Sequence, residues 1–206
     1  MSRGLFITFE GPEGSGKSTQ IKRLAAALRR ARRRVVVVTD PGTTGLGRAL
    51  REVLLHQRKR ISPLAEAMLF FAGRIQLVEE AVTPALARGA IVLCDRFHDS
   101  TMAYQGYAGG LDVDWLDRIG RDVIGLMPDL TIVLDVPVET GFARLRRRRD
   151  RMERKTIEFH RGVLAGYRAI ARREPKRVVL IDAARDANAV ARDILRIVRQ
   201  RMGRTR

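Results

Sequence analysis

Five short runs in this 206-residue chain are apolar almost from end to end: GLFITFE at 4–10, VVVVT at 35–39, AIVLCD at 90–95, LTIVLDV at 130–136 and RVVLID at 177–182. Polar and apolar residues do not alternate along them, which predicts strands covered on both faces. Between them, apolar residues recur at helical spacing over 17–32, 46–58, 63–88, 113–125, 137–148, 156–173 and 186–202. Strand then helix, repeated, predicts a parallel sheet wrapped by helices, with ligands outside the carboxyl ends of its strands. The one compositional break is RRRRDRMERK at 146–155, nearly all charged, which reads as a mobile segment rather than a domain boundary.

Composition narrows the class. With 45% hydrophobic residues the chain can bury a sizeable core, and its length suits one domain over 1–206. No apolar run is long enough to span a bilayer and the first residues do not have the pattern of a secretory signal, so a cytoplasmic protein without a membrane partner is expected. Cys94 is the only cysteine and sits in an apolar run, where a buried thiol is ordinary. The formal charge of +17 would suit a polyanionic partner. Yet the arginines are spread through every helix, and no aromatic residues interleave with RRARRR at 29–34 or RRRR at 146–149. Solvated helix faces account for the charge, and no nucleic-acid partner is expected.

EGPEGSGKST, at 10–19, carries the chemistry. GPEGSGKS fits G-x-x-x-x-G-K-[ST] and falls between the first strand and an amphipathic helix, where a phosphate loop belongs. Gly11, Gly14 and Gly16 let main-chain amides converge on an anion, with Pro12, Glu13 and Ser15 between them and Thr19 following. Lys17 would reach the β and γ phosphates, and Ser18 would offer a hydroxyl to Mg²⁺. The plainer alternative is a glycine-rich turn with no ligand. Asp95 and Arg96, at the end of another apolar strand, would add a second metal carboxylate and a guanidinium for the transferring phosphoryl group. Taken alone, that pair would read as a helix cap beside a surface arginine.

Four stretches, FITFEGPEGSGKST at 6–19, MLFFAGRIQLVEE at 68–80, DRFHDSTMAYQG at 95–106 and LTIVLDVPVETGFARL at 130–145, together resemble the bacterial members of the thymidylate kinase family. The resemblance runs from about residue 4 to 200, and DR-x-x-x-S-x-x-A-Y-Q-G is its most discriminating piece. It implies a three-layer P-loop NTPase fold: a five-stranded parallel sheet with helices on both faces and a short arginine-rich lid at about 146–155. It also implies ATP and Mg²⁺, dTMP as acceptor, and a homodimer. Phe70 would stack on thymine, with Arg74 and Thr101 on the base edge. Tyr104 would lie under the deoxyribose and Glu13 near its 3′-hydroxyl. Arg51 and Arg96 would hold the acceptor phosphate, and Ser100 and Gln105 of the same motif join that site.

In the resemblance the lid brings in arginines, because Gly14 and Ser15 stand where some members carry an arginine inside the loop. Arg147, Arg148, Arg149 and Arg151 are the candidates, while Arg144 and Arg185 match positions near the adenine. TDPGTTG at 39–45 departs from the usual T-R-E-P-G-G-T: Asp40 and Pro41 hold their places, but Thr39 replaces an arginine near the acceptor phosphate. Two rival readings are another small-molecule kinase on the same fold and a nucleic-acid-dependent ATPase that uses the positive charge.

Overall fold

The computed structural model of the protein describes residues 4–56, 60–145 and 150–204. Strands β1 (Phe6–Glu10), β2 (Val35–Thr39), β3 (Ile91–Asp95), β4 (Leu130–Asp135) and β5 (Val178–Asp182) form one parallel sheet in the order β2-β3-β1-β4-β5. Each lies inside the run predicted for it. The helices are α1 (Lys17–Arg30), α2 (Gly45–His56), α3 (Pro63–Leu77), α4 (Thr83–Ala87), α5 (His98–Thr101), α6 (Val113–Ile124), α7 (Val138–Ala143), α8 (Ile157–Arg173) and α9 (Ala187–Arg204).

Period-two alternation sorts the strand residues between two cores. Ile7 and Phe9 of β1, with Leu93 and Ile132, pack against Ile21, Leu24 and Leu28 of α1 and against Val190, Ile194 and Val198 of α9. Phe6, Val92, Cys94 and Val133 face the other way, toward α3, α4, α6 and α8. Phe6 is fully buried and meets the Phe97 ring edge-on at 5.0 Å. Burial of such a ring contributes roughly 2–3 kcal/mol. It also pins the turn after β3.

The predicted coverage of both sheet faces holds for the central strands only. β1 is buried throughout, whereas the edge strands β2 and β5 each leave residues exposed, Val37 and Leu180 among them. The predicted helix over 63–88 is α3 running through a π-helical turn, Val78–Val82, into α4. Ser62 starts it, its hydroxyl accepting from Ala65 N at 3.3 Å with Pro63 in the first turn, the usual chemistry of a helix start. Among the described residues, the helix predicted over 137–148 is found as α7. A further helix, α5 continuing into π-helical Met102–Tyr107, was not predicted.

Of the charged break at 146–155, the structure describes only 150–155. Arg146 to Arg149 lie outside the described residues. The part beyond them is packed rather than loose: Met152 and Glu153 are buried, and Asp150 Oδ1 accepts from the backbone N–H groups of Met152 and Glu153 at 2.9 and 3.0 Å.

Candidate active site

Register puts Phe9 beside Asp95, so the loops leaving β1 and β3 start side by side. Their crossovers leave on opposite faces of the sheet, which opens a crevice at these carboxyl ends. The crevice is a cavity of about 510 Å³.

The loop from Gly11 to Gly16 lies along it. Gly11, Gly14 and Gly16 have φ of 135°, 68° and 93°, values that residues with a Cβ rarely adopt. Gly16 heads α1 without a side-chain cap and with no acid in the first turn, so the helix meets the cavity with free N–H groups. The loop is also seated from behind. A Cβ on Gly14 would overlap the Gly141 carbonyl of α7, and a Cβ on Gly141 would overlap the Glu13 carbonyl.

Lys17 Nζ donates to the carbonyls of Gly11 and Pro12, both at 3.0 Å. Burial, aided by Arg96 nearby, brings its ammonium down to about 8, still protonated for the most part at neutral pH. Ser18 Oγ donates to Asp95 Oδ2 at 3.0 Å. A hydroxyl and a carboxylate side by side are oxygen donors of the kind that hold hydrated Mg²⁺ against phosphate. Among the described residues, no group of three or more His, Cys, Asp or Glu side chains could form an all-protein metal cage.

Arg96 stands at the centre with φ of 67°, a left-handed conformation uncommon for a residue with a side chain. Its Nη2 donates to Glu13 Oε1, which also accepts from Tyr104 Oη at 2.8 Å. The guanidinium lies 5.1 Å over the Tyr104 ring. Burial alone would raise the Glu13 carboxyl, but Arg96 and then Lys17 overcome it and hold it at about 2. Beneath them is fully buried Glu10, whose carboxylate accepts from Phe97 N at 2.7 Å, Ser100 Oγ at 2.5 Å and Tyr167 Oη at 3.0 Å. Burial, reinforced by Asp99, pushes Glu10 up to about 7.

The far end of the cavity is built around Arg74, only 1% exposed. Its Nε donates to Asp40 Oδ2 at 2.6 Å, and its Nη2 donates to Phe97 O and Thr101 Oγ1 at 3.0 and 3.1 Å. Arg74 Nη1 and Asp40 Oδ1 are buried with no hydrogen-bond partner among the described residues. Phe70 lines the cavity, half-buried and outside the hydrophobic cores, while its neighbour Phe71 packs inside one. Arg51 lines it too, donating to Pro41 O at 3.0 Å, with Thr39 alongside. Gln105 donates to buried Glu66 at 2.9 Å.

Most of the residues singled out in the sequence therefore meet in one chamber: Glu13 to Thr19, Asp40, Pro41, Arg51, Phe70, Arg74, Asp95, Arg96, Ser100, Thr101, Tyr104, Gln105 and Arg144 line it. Gly11 and Pro12 support it through their carbonyls. Two arginines lie elsewhere. Arg151 donates to Leu54 O at 2.7 Å and to Glu66 at 2.6 Å, which ties its side chain to α2 and α3 and off the cavity wall, although its neighbours Asp150 and Met152 line the cavity. Arg185 pairs with Asp193 at 2.8 Å on the exposed face of α9. Arg147, Arg148 and Arg149 lie outside the described residues. Sequence reasoning missed Glu10, Glu66 and Tyr167. The signal for the first two was a lone carboxylate in an otherwise apolar strand or helix.

The sequence profile of the thymidylate kinase family matches residues 9–194. The chain belongs to the thymidylate kinase family. Similar relatives include the thymidylate kinase of Rhodopseudomonas palustris, 49% identical and aligned over 97% of this chain and 90% of that protein. The thymidylate kinase of Deinococcus radiodurans is 46% identical, over 98% and 99% respectively. A crystal structure of thymidylate kinase from Ehrlichia chaffeensis superposes with a TM-score of 0.78 at 32% identity, covering 95% of this chain and 99% of that one. A thymidylate kinase fold thus frames the cavity described above. None of the described helices is long and apolar enough to cross a membrane.

Proposed function

We infer that this chain transfers the γ-phosphoryl group of ATP to the 5′-phosphate of dTMP, giving dTDP and ADP. One observation carries the reading: a phosphate loop and a pocket for a planar base open into the same cavity. Lys17 and the first amides of α1 hold the ATP phosphates. Arg96 and Arg51 serve the acceptor phosphate, an anion at neutral pH that needs no strong general base. Positioning and charge neutralisation supply most of the catalysis. Phe70 stacks on thymine, and Arg74 and Thr101 read its edge. Tyr104 and Glu13 border the sugar, and Arg144 lies toward the adenine.

Ser18 and Asp95 are the residues that would hold Mg²⁺, which supplies charge neutralisation for the phosphates when bound. Soluble nucleotide substrates fit a cytoplasmic enzyme. A homodimer is supported by exposed Leu46 and Val53 on α2 and Leu64 and Met68 on α3, two helices that pack together. The test is ADP release measured across the common nucleoside monophosphates. dTMP should give the highest kcat/KM. A flat profile, preference for another monophosphate, or hydrolysis stimulated by DNA or RNA would overturn the reading.

A further inference from the structure

Glu10 does not line the cavity, yet it reaches the residue at its centre by two routes. Its Oε1 accepts the N–H of Phe97, the residue directly after Arg96, and so holds the turn in which Arg96 takes its left-handed conformation. Its Oε2 faces two hydroxyls from separate helices, Ser100 of α5 and Tyr167 of α8, at 2.5 and 3.0 Å. Those hydroxyls lie 2.9 Å from each other. Both also lie against Arg96 Nη1, at 3.2 and 3.3 Å. Arginine has donors and no acceptor, so each hydroxyl must turn a lone pair, and not its proton, toward Arg96.

Proton counting shows what achieves this. Glu10 Oε2, Ser100 Oγ and Tyr167 Oη form a triangle with three close edges and two hydroxyl protons. Above about pH 7, where the Glu10 carboxylate is mostly ionised, it brings no proton of its own, so both hydroxyl protons can be used inside the triangle, and both oxygens are left as acceptors for the guanidinium. We propose that Glu10 is a positioning residue for phosphoryl transfer: it keeps the Ser100 and Tyr167 protons off Arg96 and fixes the turn that aims its guanidinium. The proposal rests on the reading of Arg96 as a phosphate-binding group. An amide of the same shape cannot replace the carboxylate. With its oxygen on Phe97 N–H, its NH₂ gives surplus protons to the hydroxyl pair and drives one toward Arg96. Turned over, the NH₂ faces Phe97 N–H.

The experiment is a cycle on kcat with dTMP and ATP, with the melting temperature recorded for every variant. Wild-type turnover is measured first, and its absence would count against the kinase reading rather than against Glu10. Glu10→Gln should lower kcat about tenfold to a hundredfold, the range of a hydrogen bond to a charged group, with the KM for ATP little changed. In the Ser100→Ala/Tyr167→Phe background there are no hydroxyl protons to direct, and the same substitution should change kcat less than about threefold. Equal losses in both backgrounds would show that Glu10 is merely structural and overturn the proposal. Should Glu10→Gln fail to fold, Tyr167→Phe carries the test: it removes one acceptor from Arg96 and should cost about tenfold in kcat at unchanged KM for ATP. Wild-type kcat in that variant would overturn the proposal as well.

Discussion

Substituting Asp40→Asn tests how the base end of the cavity is held together. Asp40 and Arg74 are both buried, 2% and 1% exposed, and joined by a 2.6 Å hydrogen bond. Burial pushes the Asp40 carboxyl above its ordinary value, with Arg74 pulling against it, so desolvation exceeds what the pair recovers. Such a pair is costly to break from one side, about 3–5 kcal/mol, because the other charge is left buried and unpaired. Asparagine can still accept from Arg74 Nε, which favours the lower end, about 3 kcal/mol. For a chain of this length that corresponds to a melting temperature lower by about 6–12 °C. Urea titration with steady-state kinetics on the same samples is the assay, and the KM for dTMP should rise more than the KM for ATP. Replacing the pair outright, Asp40→Leu with Arg74→Met, should restore much of the stability without restoring dTMP selection. Unchanged stability and unchanged dTMP kinetics in Asp40→Asn would refute the argument, as would normal dTMP selection in the double variant.

Phe70→Ala should weaken dTMP about tenfold to a hundredfold by removing a stacking face, with ATP affinity and melting temperature nearly unchanged because the ring lies outside the cores; calorimetric titration of each nucleotide checks it. Lys17→Ala should reduce kcat by about a hundredfold or more while the circular dichroism spectrum stays native, and near-normal turnover would count against the phosphate-loop assignment. Asp117 is held at about 2, since hydrogen bonds from His98 and Arg121 outweigh a burial effect that would raise it. A depressed carboxyl contributes stability above its ordinary value that disappears on acidification. Between pH 3.8 and about 2 the wild type should therefore lose stability more steeply than Asp117→Asn, as read by denaturant midpoints.

The sheet was legible because its five strands are short, apolar and separated by helical spacing, and a parallel sheet buried on both sides needs that pattern. α5 and the π-helical turn after it escaped for the opposite reason. Residues 97–106 are buried almost throughout, so DRFHDSTMAYQG shows no exposed face and no amphipathic period. The phosphate loop and the Arg96 motif were readable as local words. Their supports were not: Glu10 and Tyr167 are separated by 157 residues, and Glu66 and Arg151 by 85. Contacts of that reach leave no spacing to read. Phe70 and Phe71 show the same limit, since adjacent identical residues serve a cavity and a core according to which side of α3 they occupy.

The mutual seating of Gly14 and Gly141 restricts how this enzyme can change over time. A cationic side chain introduced at position 14 would need both a backbone angle that suits glycine and space already taken by the turn of α7. A chain with an arginine at position 14 is therefore not one substitution away, because that turn would have to withdraw first and the Glu13 backbone that Gly141 meets would move with it. The charge that this loop can carry is in this way inherited with the packing of a helix far along the chain.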